Sequence, residues 1–351
     1  MNEKYMEALE QYDMEVLSVR KGRGSWICET AEGCRLLKEY RGTARRLEFE
    51  DQVLGMLDPR TSLRTDRYIR NKEGSLLSIT GDGTRYILKE WFTDRECNAR
   101  DGFEIRQALS RLAILHRQLR EIEFKEEWNM GSTCEQPLEE EMERHNREMQ
   151  RARNYIRGKR KKTEFELCVI GNYEMFYDQA REAAGGMRKL WEQTEEAVQP
   201  LKAAELMKQE AAEDQPAASK PLYLCHGDLD QHHVLMGGNY TAIIEYNRMH
   251  LGIQAADLYR FMRKAMEKHG WNADLGLSML ESYERVLPMD KKERTCLYYL
   301  FLYPEKYWKQ LNFYFNANKA WIPERNIEKL RSLEAQQRAR NSFLRCLETV
   351  C

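Results

Sequence analysis

Apolar positions near the start of the chain come in short runs. Residues 16–19, 26–30 and 34–40 each read as a strand, separated at Lys21-Gly22-Arg23-Gly24-Ser25 and at Ala31-Glu32-Gly33. The pattern predicts an antiparallel meander. Over residues 44–57 the period becomes helical, with Leu47, Val53, Leu54 and Leu57 on one face at about 100° per residue. Glu50 lies within that apolar stripe, and a carboxylate there needs a partner because burying it alone is costly. Strands are expected again at 75–80 and 84–91, around the turn Gly81-Asp82-Gly83. A long helix then opens at Asp101, with Glu104 three residues on in the spacing of a capping box.

Residues from about 121 to 220 are charged and mostly helical in period. Within them, 165–191 suits a core-facing helix or helix pair, and 203–219 reads as a helix fading into a polar linker. After Pro221 come the apolar run Leu222-Tyr223-Leu224-Cys225 and strands at 234–236 and 242–244 around Gly237-Gly238. Helices follow at 257–269, 273–286, 291–316 and 323–347. Strands early and helices late predict an α+β class in two lobes. Residues 1–95 form a small antiparallel-sheet lobe. Residues 96–351 form a larger helical lobe, with a charged helical insert at about 121–220.

Composition narrows the function. Apolar residues make up 42% of the 351, with 18 Tyr, 11 Phe and 7 Trp, enough for a sizeable core. The net charge of -1 gives no basic field, so nucleic acid is not an expected partner. The segment MNEKYMEALEQYD carries no signal peptide, and no run nears the roughly 20 apolar residues that span a bilayer. Nine Cys without a C-x-x-C pair read as free thiols in a reducing compartment. The expectation is a soluble protein, cytoplasmic at synthesis.

Phosphoryl transfer needs a Gly-containing loop over the phosphates, a Lys that pairs with them, and a helix carboxylate holding that Lys. It also needs an Asp that orients the acceptor hydroxyl, and an Asn and an Asp on magnesium. The chain offers such parts in that order. Gly22 and Gly24 lie in the first turn, Lys38 on the third strand and Glu50 on the following helix, within expected salt-bridge reach of Lys38. Asp228 is the candidate base, in a loop ahead of a two-strand hairpin, and His226 is expected to brace that loop. The bland readings stand beside these: a turn is usually only a turn, and Asp228 could simply organise its own loop. His232 and His233 near Cys225 and His226 have no zinc-ligand spacing. The seven basic residues within 151–162 read as a solvated helix end, and the aromatics around Tyr307 to Phe315 as core packing.

His226-Gly227-Asp228-Leu229, the helix segment Leu112-Ala113-Ile114-Leu115-His116 and Asp257-Leu258 resemble the aminoglycoside phosphotransferase and choline kinase branch of the kinase-like fold. At finer scale the chain resembles the CotS-type spore coat proteins of endospore-forming bacteria. The likeness rests on Lys89-Glu90-Trp91-Phe92, Arg95-Glu96-Cys97, residues 226–235 and 257–264, Tyr303-Pro304-Glu305-Lys306-Tyr307-Trp308-Lys309 and Asn318-Lys319-Ala320-Trp321-Ile322-Pro323. The resemblance implies a nucleotide site at Gly22, Gly24, Lys38 and Glu50, a structural Asp257 that braces the catalytic loop, ATP and magnesium as cofactors, and a spore coat location among other coat proteins. A small-molecule ligand would sit in the interlobe cleft. The metal positions depart from the family pattern: the expected Asn is His233, and the expected Asp is Glu245. Asp228 and Glu245 are expected to face one cleft. Three readings stay open: a degenerate pseudokinase with a structural role in the coat, an active ATP-dependent small-molecule phosphotransferase with Asp228 as base, and a nucleotide-binding regulatory pseudokinase.

Overall fold

The computed structural model of the chain describes residues 3–22, 24–134, 136–195, 222–316 and 324–350. The region 203–219 and the segment Asn318 to Pro323 lie outside the described residues. In chain order come α1 (Glu3–Leu9), β1 (Val16–Lys21), β2 (Ser25–Thr30), β3 (Gly33–Glu39) and α2 (Ala44–Met56). Next are β4 (Leu63–Thr65), β5 (Tyr68–Ile69), β6 (Ser78–Ile79), β7 (Arg85–Glu90), β8 (Arg95–Glu96) and α3 (Gly102–Arg120). Then come α4 (Leu138–Gly158), α5 (Glu164–Glu195), β9 (Tyr223–Cys225), β10 (Val234–Met236), β11 (Thr241–Ile243) and β12 (His250–Gly252). The chain continues through α6 (Gln254–Lys268), α7 (Ala273–Glu284), α8 (Lys291–Leu302), α9 (Glu305–Asn316) and α10 (Glu324–Glu348). The α+β class with an antiparallel N-terminal sheet and a helical C-terminal part is the observed one.

Two compact units divide these elements. The first holds Met1–Cys134, Tyr223–Phe261 and Glu281–Leu287; the second holds Glu135–Leu222, Met262–Leu280 and Pro288–Cys351. In the first, an antiparallel sheet runs β1-β2-β3-β7-β5, with β6 also on β7. One face buries Cys28, Leu37 and Leu88 against Tyr5, Ala8 and Tyr12. Helix α2 starts where the Thr43 side chain accepts the Arg46 N–H, a normal N-cap. It buries Leu47, Phe49, Val53 and Leu54 together with Arg46 and Glu50. A second sheet, β4-β11-β10-β8, carries the predicted hairpin, and β9 pairs with β12. The strands β4, β5 and β8 escape a reading by periodicity because they are two or three residues long.

From residue 136 to 195 the charged insert lies in the second unit and forms α4 and one continuous 32-residue helix, α5, rather than a helix pair. Phe165 stacks on Tyr314 and Phe176 on Tyr307, so these aromatics pack inward, while Phe313 and Phe315 stay exposed. Arg151, Arg157, Arg160 and Lys161 are exposed, and Arg153 and Lys159 pair with Glu174 and Glu166. The single helix expected over 291–316 is two. Pro304 supplies no N–H and disfavours helix at Tyr303, which is extended (φ -65, ψ 127). The box at Asp101 is half-formed: Asp101 caps the N–H groups of Phe103 and Glu104, but the Glu104 carboxylate takes Asn98 N–H and Arg95 instead. A complete capping box forms at Asp290 and Glu293.

Candidate active site

All the described site residues lie in the first unit. The loop after β9 is held from below by Asp257, in the first turn of α6, where a carboxylate also suits the helix dipole. Its Oδ2 accepts the His226 N–H at 2.6 Å and its Oδ1 the Gly227 N–H at 2.9 Å. Arg260 Nη1 donates to the Gly227 carbonyl at 2.8 Å. Gly227 is required: its φ is +87°, and an added Cβ would lie 2.0 Å from the Arg248 carbonyl oxygen. His116 completes the brace, 3.4 Å from Asp257 Oδ2 on one side and 2.7 Å from the Tyr283 hydroxyl on the other. Burial alone would raise the Asp257 carboxyl; the hydrogen bond and charge of His116, with Arg260, hold it below the ordinary range.

His226 is fully buried, and burial lowers its imidazole to about 4. It is therefore neutral near pH 7. Its Nε2–H donates to the Ile244 carbonyl at 2.9 Å, and its Nδ1 accepts the Asp228 N–H at 3.3 Å. Both ring nitrogens are used to tie two loops together, which makes His226 a brace rather than a proton carrier. Asp228 points the other way: it is exposed, and among the described residues its carboxylate has no hydrogen-bond partner.

His233 ends the 3₁₀ turn Gln231–His233, capped by Asp230. Its Nδ1–H donates to the Asp228 carbonyl at 2.7 Å, leaving Nε2 as the lone-pair nitrogen. Glu245 follows β11 with φ +68°, a left-handed conformation rare for a residue with a Cβ. Both its carboxylate oxygens lie 2.9 Å from Lys38 Nζ. Burial would raise the Glu245 carboxyl, but Lys89 and Lys38 outweigh it and hold the group below its ordinary value. Lys38 stands on β3 opposite Ser25, beside the turn that contains Gly22 and Gly24. Gly24 takes φ +72°, and a Cβ there would meet open space.

The expected pairing of Lys38 with Glu50 does not form. Glu50 is 1% exposed, and its partners are Arg46 Nε at 2.6 Å and the Tyr68 hydroxyl. Arg46 lies one turn earlier on the same helix and also donates to the Met249 carbonyl at 2.5 Å and the Ser132 carbonyl at 3.1 Å. A planar guanidinium with five N–H donors in a fixed fork satisfies a buried carboxylate and nearby carbonyls together. Lys38 is thus left to Glu245.

Two further charged residues belong to this site. Lys89, on β7, is 3% exposed and donates to Asp66 Oδ2 at 2.7 Å, and Asp66 is 0% exposed. The same Oδ2 accepts the Glu245 N–H at 3.1 Å. Burial raises the Asp66 carboxyl despite the opposing effect of Lys89. A signal for Lys89 exists in the sequence, since a Lys ending the apolar run Tyr86-Ile87-Leu88 calls for a partner. Nothing local marks Asp66.

A buried brace under an exposed Asp, a strand Lys facing the residue after a hairpin, and a glycine turn beside that Lys define a kinase-like phosphotransferase architecture. Residues 17–288 match the phosphotransferase enzyme family APH, and the chain belongs to that family. No curated protein matches it. Among solved structures it is similar to an aminoglycoside phosphotransferase from Alicyclobacillus acidocaldarius, with TM-score 0.77, 15% identity, and coverage of 98% of this chain and 95% of the other. It is also similar to a microcompartment-associated aminopropanol kinase, with TM-score 0.59, 13% identity and coverage of 98% and 97%. For spectinomycin phosphotransferase the TM-score is 0.56 at 13% identity, with 93% of each chain covered. At these identities the likeness establishes the fold.

The family's magnesium can be tested against the donors present. Magnesium takes oxygen ligands, and imidazole suits softer cations. One metal position is a ring nitrogen donor, His233, and the other, Glu245, has both oxygens on Lys38. The nitrogen donor at His233 departs from magnesium's preference, and the Glu245 oxygens are shared with Lys38. Among the described residues no group of three or more His, Cys, Asp or Glu is arranged to hold a metal ion. No helix among them is long and apolar enough to cross a membrane.

Proposed function

We propose that this chain is a CotS-type spore coat protein whose phosphotransferase site is degenerate, and that it acts structurally or in assembly with other coat proteins. The observation that carries the loss of ordinary transfer is the capture of both Glu245 oxygens by Lys38. In a working site the Lys would hold phosphates and the carboxylate would hold metal. With His233 at the second metal position, neither ligand is set for magnesium. The coat assignment is supported by the segments around Lys89-Glu90-Trp91-Phe92 and Tyr303 to Lys309 and by their likeness to that family. A fluorescent fusion of the full chain, followed in sporulating cells, tests location. The reading expects signal around the forespore, and a uniform mother-cell signal contradicts it.

One observation favours a second reading, an active ATP-dependent phosphotransferase. The loop that presents Asp228 is fully braced by Asp257, Arg260 and His226, and the Asp228 carboxylate is exposed, as a base for an acceptor hydroxyl would be. Gly22, Gly24 and Lys38 would then hold the phosphates. The third reading, a regulatory protein that binds nucleotide without transfer, requires only those last residues. Transfer that depends on Asp228 separates the second reading from the other two.

A further inference from the structure

The pair Lys89–Asp66 is sealed from solvent, with the two residues 3% and 0% exposed. Lys89 Nζ also lies 4.4 Å from the centre of the Tyr68 ring. Such a pair is a poor device for stability. Desolvating both charges offsets their attraction, and an apolar pair of similar size is often at least as stable. Asp66 Oδ1 has no hydrogen bond, which adds to the cost of burying the group.

What the pair does hold is the backbone of Glu245, through the N–H that Asp66 Oδ2 accepts at 3.1 Å. The left-handed φ of Glu245 persists only where the surroundings fix it. Lys89 fixes the Asp66 carboxylate, that carboxylate fixes the Glu245 N–H, and the resulting backbone sends the Glu245 side chain to Lys38. We propose that Asp66 and Lys89 are positioning residues for Glu245, acting through the hydrogen-bond acceptor at residue 66. This deepens, and rests on, the reading of Lys38 and Glu245 as the altered site.

A double-mutant cycle of Lys38→Met and Glu245→Gln, read by denaturant unfolding of the full chain without nucleotide, measures whether Glu245 is correctly presented. In the natural background the expected coupling is about three-fold in the unfolding equilibrium constant, as for a partly exposed ion pair. The background Asp66→Asn/Lys89→Met removes both charges but keeps an amide oxygen for the Glu245 N–H, and the coupling stays at about three-fold. The background Asp66→Leu/Lys89→Met also removes the acceptor, and the coupling falls to about one-fold. If the Leu variant does not fold, Asp66→Ala/Lys89→Met takes its place in the comparison. Coupling kept in both backgrounds, lost in both, or absent in the natural protein overturns the proposal. Because no nucleotide is used, a chain that fails to bind ATP leaves this result to stand or fall by itself.

Discussion

Lys38 Nζ sits 2.9 Å from each carboxylate oxygen of Glu245, while Glu50, the carboxylate on α2, is held by Arg46 at 2.6 Å. The strand Lys and the helix carboxylate therefore have separate partners. A magnesium-dependent phosphotransferase uses them as one unit, and here the α2 carboxylate pairs with Arg46 and the Tyr68 hydroxyl.

That separation predicts an order of mutational effects. Glu50→Ala leaves Arg46 buried at 8% exposure without its counter-charge, so it should cost about 3–5 kcal/mol. Lys38→Met breaks a pair whose side chains are 37% and 21% exposed, so it should cost less than about 1 kcal/mol. Urea unfolding of both variants decides the matter. A Lys38→Met effect as large as that of Glu50→Ala would mean that Lys38 carries the structural link after all.

The loop brace predicts a second effect. Asp257→Ala strips acceptors from two backbone N–H groups and from His116, all inside the protein. A loss of about 3–5 kcal/mol is expected. Gly227→Ala places a Cβ against the Arg248 carbonyl and must displace backbone, so it should also lower Tm. Hydrogen exchange at residues 226–230 reads the same loosening locally. Unchanged protection in Asp257→Ala would show that the loop holds itself.

A third prediction concerns pH. His226 is depressed from 6.5 to about 4 by burial. Between those values the unfolded chain binds the proton that the folded chain refuses. Stability from this group is thus full above pH 6.5 and is lost as pH falls toward 4, by up to about 1.4 kcal/mol per pH unit. Glu50 and Asp66, raised by burial, act with the opposite sign. The test is therefore the difference between the natural protein and His226→Gln. That difference should shrink as pH falls through the window; a constant difference would mean that His226 titrates normally.

Much of this architecture is legible in the chain because the signals are local. The hairpin glycines, the helical period of α2 and the spacing from His226 to Asp228 each lie within a few residues, and β1, β2, β3 and α2 are where they are expected. The break at Pro304 escapes the reading, because the apolar period runs through it although the proline itself is the local signal for it. Partner choice was not legible. Glu50 shows that a buried carboxylate needs a cation, yet Arg46 and Lys38 both qualify by sequence, and only packing selects between them. Asp66, in the loop between β4 and β5, and Lys89, on β7, are 23 positions apart, and no periodicity links them. That His233 and Glu245 stand at the positions the family resemblance assigns to metal is read directly off the chain. That Glu245 turns to Lys38 depends on its left-handed backbone, which a glutamate does not advertise.

The central claim is that the fold has kept the phosphotransferase frame without its magnesium-dependent reaction. The most direct measurement is nucleotide binding and hydrolysis by the full chain, with and without magnesium, beside Asp228→Ala. A ligand present at 100 times its Kd would stabilise the protein by about 2.7 kcal/mol, which a melting curve resolves. The account predicts a Tm unmoved by millimolar ATP with magnesium, and no hydrolysis above that of Asp228→Ala. Tight magnesium-dependent binding, with hydrolysis that disappears in Asp228→Ala, would contradict it.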